Sequence, residues 1–464
     1  MTMPPHSRGL PSDTREQLLA RMRQTPQTGI PVHESARYDT SFETLPGYDE
    51  LHMMRNIGRS FGLANPFFRA HDGCAGAITS ISGRELVNFA SYDYLGLNSH
   101  MKVRLAAQEA IAEFGTTVSA SRLVAGERQF HRTLETKLAD LYHADDALVF
   151  VSGHAANVTT IGALLGPNDT VFHDSLIHNS VIVGAELANA RRRAFPHNDL
   201  DELEKILATE RSAKGRALIV VEGLYSMDGD VPDLARLIEI KQRFGAWLMV
   251  DEAHGLGVLG AGGTGVAEHL GIDPSDIDIW MGTLSKTLAS CGGYIAGRQL
   301  LIDWLRAKAP GFVYSVGLTP PAASAAIAAL NVMKTEPNRI VKLQANSRHF
   351  LQAAQKAGLA TGNAEGHAII PVVVGDSLTV VLLAERLLAR QINVVPIIPP
   401  GVPHKSARLR FFITSEHTAQ QIDQTVQDVA EELAICADII ARLNGSRVED
   451  DNLLLRTPTQ EDGS

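Results

Sequence analysis

The feature that most constrains the fold is a repeated pattern of hydropathy. Between about residues 130 and 300, short and mainly apolar runs alternate with longer stretches whose apolar residues recur at helical spacing. Runs at 147–151, 170–173, 217–221, 247–250, 277–281 and 294–296 read as strands, and 133–142, 158–165, 200–210 and 234–244 read as helices. Strands with no polar alternation are covered on both faces. The pattern therefore predicts an α/β fold with a mostly parallel sheet between helices. In such sheets ligands gather outside the carboxyl ends of the strands.

Composition narrows the function. The 464 residues suggest two or three domains at roughly 150 residues each. Lys and Arg number 42 against 52 Asp and Glu, a net charge of −10, which disfavours a general nucleic-acid binder. Cys74, Cys291 and Cys436 are too few and too scattered for a disulfide framework or a metal site; they fit a reducing, cytoplasmic setting. The first residues lack the apolar run of a signal peptide, and no run is long enough for a transmembrane segment.

Five segments are expected. Residues 1–64 form a polar extension, with a short helical pattern at 14–22, that is either loose or packed on a partner subunit. Residues 65–100 hold a hairpin, 77–81 and 85–89 around Ser82-Gly83-Arg84. A large domain spans 101–335, opening with a helix at 102–114 that Gly115 ends. A smaller C-terminal α/β domain spans 336–445. The Ala-rich helix at 322–333 is expected to continue toward Phe350, and a last helix to cover 419–443. Residues 446–464 form an acidic, flexible tail.

Polar residues follow the strands. Ser152-Gly153-His154 follows the first run, Glu222 to Asp230 the third, Asp251-Glu252-Ala253-His254-Gly255 the fourth, and Gly282-Thr283-Leu284-Ser285-Lys286 the fifth. An Asp ending a buried strand, followed by a Lys in a Ser-Lys pair, suggests pyridoxal phosphate. That cofactor needs a Lys for its Schiff base and an Asp to keep the pyridine nitrogen protonated. It also needs a flat side chain over the ring and small donors at a helix N-terminus for the phosphate. A cation holds the substrate carboxylate. Singly, each residue has a plainer reading as a surface lysine, a capping aspartate or a packed histidine. Their joint order on the α/β pattern is what points to one cofactor.

With these residues in view, the chain resembles the α-oxoamine synthases, fold-type I pyridoxal-phosphate enzymes with a large domain and a smaller C-terminal one. The resemblance covers about residues 65 to 440. It rests on Asn88 to Leu97, Ser119 to Gly126, Glu222 to Asp230, Val250 to Gly255 and Gly282 to Lys286. It implies that Lys286 carries the cofactor and moves the Cα proton, that Asp251 pairs with the pyridine N–H, and that His178 stacks on the ring. Ser226 and His254 would lie near the phenolic oxygen. Ser152, Gly153, His154, Thr283 and Ser285 would lie at the phosphate end, and Ser315 would reach the phosphate of the other subunit in a homodimer with shared sites. Arg410 and Tyr92 would bind substrate.

The implied reaction is a decarboxylative Claisen condensation of Gly, Ala or Ser with an acyl thioester of coenzyme A or an acyl carrier protein, giving an α-amino ketone. The alternatives are an aminotransferase of the same fold and a non-catalytic partner subunit; the presence of Lys286, Asp251 and His178 argues against the second. Two positions depart from the commonest pattern. His154 stands where an aromatic residue is usual, and Tyr92 where 8-amino-7-oxononanoate synthases usually carry Asn. At Tyr92 the chain is similar to serine palmitoyltransferases, whereas Ser119-Ala120-Ser121-Arg122 resembles the 8-amino-7-oxononanoate branch and synthases linked to polyketide carriers. The basic run Arg191-Arg192-Arg193 reads more simply as a solvated turn than as a receptor for phosphates or an acidic carrier. Met53-Met54 and Phe67-Phe68 are equally explained by an acyl channel or by plain apolar contacts.

Overall fold

The computed structural model describes residues 41–48 and 65–454, apart from 213 and 400. The chain divides into two units, Met1–Gly62 and Leu63–Ser464. In the first, a short 3₁₀ turn, Phe42–Thr44, is capped by Ser41. The helical pattern at 14–22 and Met53-Met54 lie outside the described residues.

The second unit begins with the predicted hairpin, β1 (Ile78–Ile81) and β2 (Arg84–Asn88). Its turn is the pair Ser82-Gly83, both at positive φ, while Arg84 already pairs with Ile81. The apolar runs then form a seven-stranded sheet. Its members are β3 (Asp146–Phe150), β4 (Thr170–Asp174), β5 (Arg191–Phe195), β6 (Ala217–Glu222), β7 (Trp247–Asp251), β8 (Ile279–Thr283) and β9 (Gly293–Gly297), in the order β3-β9-β8-β7-β6-β4-β5. Strand β9 pairs antiparallel with both β8 and β3, and the remaining pairs in the sheet are parallel. Strands β3, β4, β6, β8 and β9 are buried throughout, which is why their sequences show no alternation.

Three expectations are corrected. Arg191-Arg192-Arg193 is not a turn but most of edge strand β5. Arg192 pairs with Glu186 and Arg193 with Glu210, so the sheet ends on charge, which blunts an otherwise open edge. A helix, Asn179–Leu187, precedes it where none was read. Its apolar residues lack a one-sided pattern because it lies close against the helix Gly153–Leu164; a Cβ on Gly184 would sit 3.0 Å from Ile161 Cβ. Finally, the helix expected to run to Phe350 is two, Pro320–Thr335 and Asn338–Lys356. Pro337 separates them, because the residue before proline is driven out of the helical region, and Glu336 has φ −125°, ψ 58°.

The C-terminal part forms a second sheet from β10 (Ile369–Gly375), β12 (Val395–Ile397) and β13 (Ala407–Phe412). Strand β11 (Ile392–Asn393) instead extends the N-terminal hairpin by pairing with β2. Phe89, Phe350 and Phe411 pack together in the core of this part. The last helix, Ala419–Leu454, outruns its predicted end. Among the described residues no helix is long and apolar enough to cross a membrane.

Candidate active site

The carboxyl ends of β6, β7 and β8 meet the N-termini of the helices Gly153–Leu164 and Asn179–Leu187 around a cavity of about 280 Å³. Ten predicted residues line it: Ser152, Gly153, His154, His178, Ser226, Asp251, His254, Thr283, Ser285 and Lys286. A larger cavity, about 860 Å³, lies by Gly166, Arg216, Trp247 and Trp304 and contains none of them. The chemistry, not the volume, identifies the smaller one.

Lys286 follows β8 in a tight return to β9, pinned by Leu284 N–H to Gly292 O at 2.9 Å and Ala289 N–H to Lys286 O at 2.9 Å. Its Nζ is 2.8 Å from His254 Nε2, and His254 Nδ1 is 2.6 Å from the Tyr94 hydroxyl. Burial pushes the Lys286 amine down to about 8, against the opposing pull of the Asp251 and Glu222 carboxylates. Burial, reinforced by Lys286 and Arg410, also holds His254 well below the usual imidazole range, so His254 is neutral.

Asp251 ends β7. Its two oxygens each accept one hydrogen bond at 2.9 Å, Oδ1 from Ala253 N–H and Oδ2 from Asn157 Nδ2. Beside it Glu222 ends β6. Burial, then the Asp251 charge, push Glu222 up to about 8, and its Oε2 accepts the Ser226 N–H at 2.9 Å. His178 caps the helix Asn179–Leu187 through its ring, and burial holds its imidazole below the ordinary value.

Ser152 caps the helix Gly153–Leu164, its Oγ accepting from Ala155 N–H at 3.0 Å. A Cβ on Gly153 would sit 3.1 Å from Thr283 Cβ, so the helix start presses on the end of β8. Thr283 and Ser285 hydroxyls are 2.7 Å apart on the same side. Oriented backbone donors and three hydroxyls at one end, a buried carboxylate on a central strand, and a buried amine make a donor set that fits pyridoxal phosphate.

Three predicted residues stand outside the cavity wall. Lys286 Nζ is 5.7 Å from the Tyr92 ring centroid, and that ring packs edge-on against Phe412. Arg410, on β13, lies over Phe412 and donates to Ser226 O at 2.8 Å. Ser315 is apart from the cavity in its own chain and borders Arg122, Phe150 and Phe312. The sequence reading missed Asn157, Ser180, Glu222 and Tyr94 as members of the site. Glu222 and Tyr94 lie in motifs it singled out, Asn157 and Ser180 lie just beyond residues it named, and the signal available was their polarity amid residues that must be buried.

The comparisons agree with this chemistry. Residues 84–429 match the family model "Aminotransferase class I and II". The chain is 40% identical to 8-amino-7-oxononanoate synthase of Geobacter sulfurreducens, over 82% of this chain and 96% of that one. It is 43% identical to that of Anaeromyxobacter sp. (strain K), over 75% and 86%. Among solved structures, Sphingomonas wittichii serine palmitoyltransferase superposes with a TM-score of 0.81 at 29% identity, covering 85% of this chain and 99% of that one. A serine palmitoyltransferase carrying pyridoxal phosphate gives 0.81 at 27%, with the same coverage. The chain belongs to the α-oxoamine synthases, pyridoxal-phosphate-dependent acyltransferases that join an amino acid to an acyl group by decarboxylative condensation.

Proposed function

We propose that the chain condenses glycine, alanine or serine with an acyl thioester of coenzyme A or of an acyl carrier protein, releasing the thiol and carbon dioxide. The observation that carries this reading is the Lys286–His254 contact beside Asp251 in one small cavity, with Tyr94 behind the imidazole. The residues around this cavity of about 280 Å³ are those that would hold the cofactor, so the amino acid would enter from the Tyr92 and Arg410 side.

Pyridoxal phosphate, when bound, supplies an electron sink for the amino-acid Cα. Asp251 would hold its pyridine N–H, His178 its ring face, and Ser226 and His254 its phenolic side. Ser152, Gly153, His154, Thr283 and Ser285 would hold its phosphate. Lys286 Nζ takes the proton from Cα; with its pKa brought down to about 8, a useful fraction is neutral near pH 7. The Arg410 guanidinium holds the amino-acid carboxylate, with Tyr92 across the entrance. Cα then bonds to the thioester carbonyl carbon, the carbon–sulfur bond breaks, and the sulfur leaves as a thiolate that takes a proton from solvent. The carboxylate departs as carbon dioxide, and Lys286 Nζ returns a proton to the same carbon.

A homodimer completes this reading. Tyr314 and Val316, on either side of Ser315, are exposed, as are Leu123 and Val124, and Ser121 bridges to Val316. An apolar patch around a serine suits burial by a second copy that receives that serine at its own site.

The test is a matrix assay with purified, cofactor-loaded protein. Spectral change with one amino acid, followed by equal release of thiol and carbon dioxide with one acyl thioester, supports the reading. Consumption of an α-keto acid without carbon dioxide would replace it with transamination.

A further inference from the structure

Asn157 is 1% exposed and lies one turn into the helix Gly153–Leu164, where asparagine is a poor helix former. A buried side-chain amide is costly unless its hydrogens are used. Both are. One Nδ2 hydrogen goes to Asp251 Oδ2 at 2.9 Å and the other to Ser180 Oγ at 2.9 Å. Ser180 is fully buried, and its Oγ is 2.7 Å from His178 Nδ1.

The direction of each bond follows from the donors present. Asp251 only accepts when ionised, so the Asn157 nitrogen, not its oxygen, must face it. Ser180 Oγ accepts the other Asn157 hydrogen, which leaves the hydroxyl hydrogen free for His178 Nδ1. The Ser180 backbone N–H also points at Nδ1, at 3.3 Å. With two donors aimed at it, Nδ1 is the unprotonated nitrogen, so neutral His178 carries its hydrogen on Nε2. Asn157 Oδ1 has no partner, so the amide's place in the site rests on what it donates.

We infer that Asn157 is a positioning residue that fixes two groups at once: the orientation of the Asp251 carboxylate and, through Ser180, the tautomer of His178. This rests on the proposed roles of Asp251 and His178, and it adds the residue that ties them together. A carboxylate held by one bond to each oxygen is aimed; a ring held at Nδ1 cannot rotate or exchange its proton to the other nitrogen without breaking the chain of bonds.

The experiment compares Asn157→Ala and Ser180→Ala with the unaltered holoenzyme. The readouts are the ¹⁵N shifts of His178 in histidine-labelled protein at pH 8 and the dissociation constant of pyridoxal phosphate. The unaltered protein is expected to show one neutral tautomer, protonated at Nε2. Ser180→Ala should mix the tautomers and leave cofactor affinity within twofold. Asn157→Ala should mix them and also weaken the cofactor by about tenfold or more, the size of one hydrogen bond to a charged group. A pure Nε2–H tautomer in Ser180→Ala overturns the link to His178, even if Asn157→Ala proves unfolded. Unchanged cofactor affinity in a folded Asn157→Ala overturns the link to Asp251. The tautomer readout needs no turnover, so a failed condensation assay leaves this test standing.

Discussion

Lys286 Nζ and His254 Nε2 lie 2.8 Å apart, and the far side of the same ring contacts Tyr94. Because His254 is neutral, its one proton follows the charge of the lysine. An ammonium at Lys286 donates to Nε2, and Nδ1–H then donates to the tyrosine oxygen. A neutral amine accepts from Nε2–H, and the tyrosine hydroxyl then donates to Nδ1. The imidazole is thus a reversible prop that serves both states of the amine.

Lys286→Ala should abolish condensation, lowering kcat by more than about a thousandfold, the scale of a lost covalent and proton-transfer group. In the unaltered enzyme, borohydride reduction and peptide mass spectrometry should place a pyridoxyl group on Lys286. The label on any other lysine would refute its assigned role.

Capture of pyridoxal phosphate by the apoprotein should depend on pH through Lys286. The neutral amine is the nucleophile, so the capture rate should rise about tenfold per unit below pH 8 and level off above it. Stopped-flow mixing across pH 6 to 10 measures this; a rise continuing to the ordinary lysine range would show that burial does not depress the amine.

Glu222 predicts an opposite slope in stability. Its folded pKa, about 8, is above the unfolded 4.5, so between these values the folded chain holds more protons. Its contribution is therefore full below pH 4.5 and is lost as pH rises through 8. Glu222→Gln, which keeps the shape, should flatten the fall in apoprotein stability from pH 5 to 8 in urea unfolding. Equal slopes in both proteins would count against it.

Tyr94→Phe should destabilise the protein by about 1–3 kcal/mol, because the buried His254 Nδ1 loses its partner. Condensation should slow as well. Denaturant midpoints and steady-state rates, compared with Tyr92→Phe at the more exposed neighbour, separate the two effects.

Ser315→Ala should weaken cofactor binding in a way that a second subunit can rescue. Mixed with Lys286→Ala under dimer exchange, it should regain activity at one site, which pairs the intact lysine of one chain with the intact serine of the other. No recovery in a verified mixed dimer would place Ser315 outside the shared site.

Much of this was legible in the sequence because burial leaves a strong mark. Strands β3, β4, β6 and β8 announce themselves as mainly apolar runs, and the polar residues after them assemble as read. Strand β5 was hidden because an edge strand tolerates arginines. The helix Asn179–Leu187 was hidden because close helix contact replaces the usual amphipathic stripe with small residues. The break at Pro337 was readable from proline alone, but the flanking apolar spacing outweighed it. Asn157 and Tyr94 escaped because their importance lies in what they touch, across 94 and 160 positions of the chain.

The reversal of β9 has a consequence for how the enzyme cycles. Had β9 run parallel to β8, a crossover of a dozen or more residues would have had to carry Lys286. The antiparallel return instead spans residues 284–292 and is bonded across its base. The lysine is mounted like a needle on a fixed bearing: when its nitrogen leaves one partner for another, the swing is confined to the four torsions of its own side chain, and the backbone beneath it has nowhere to go.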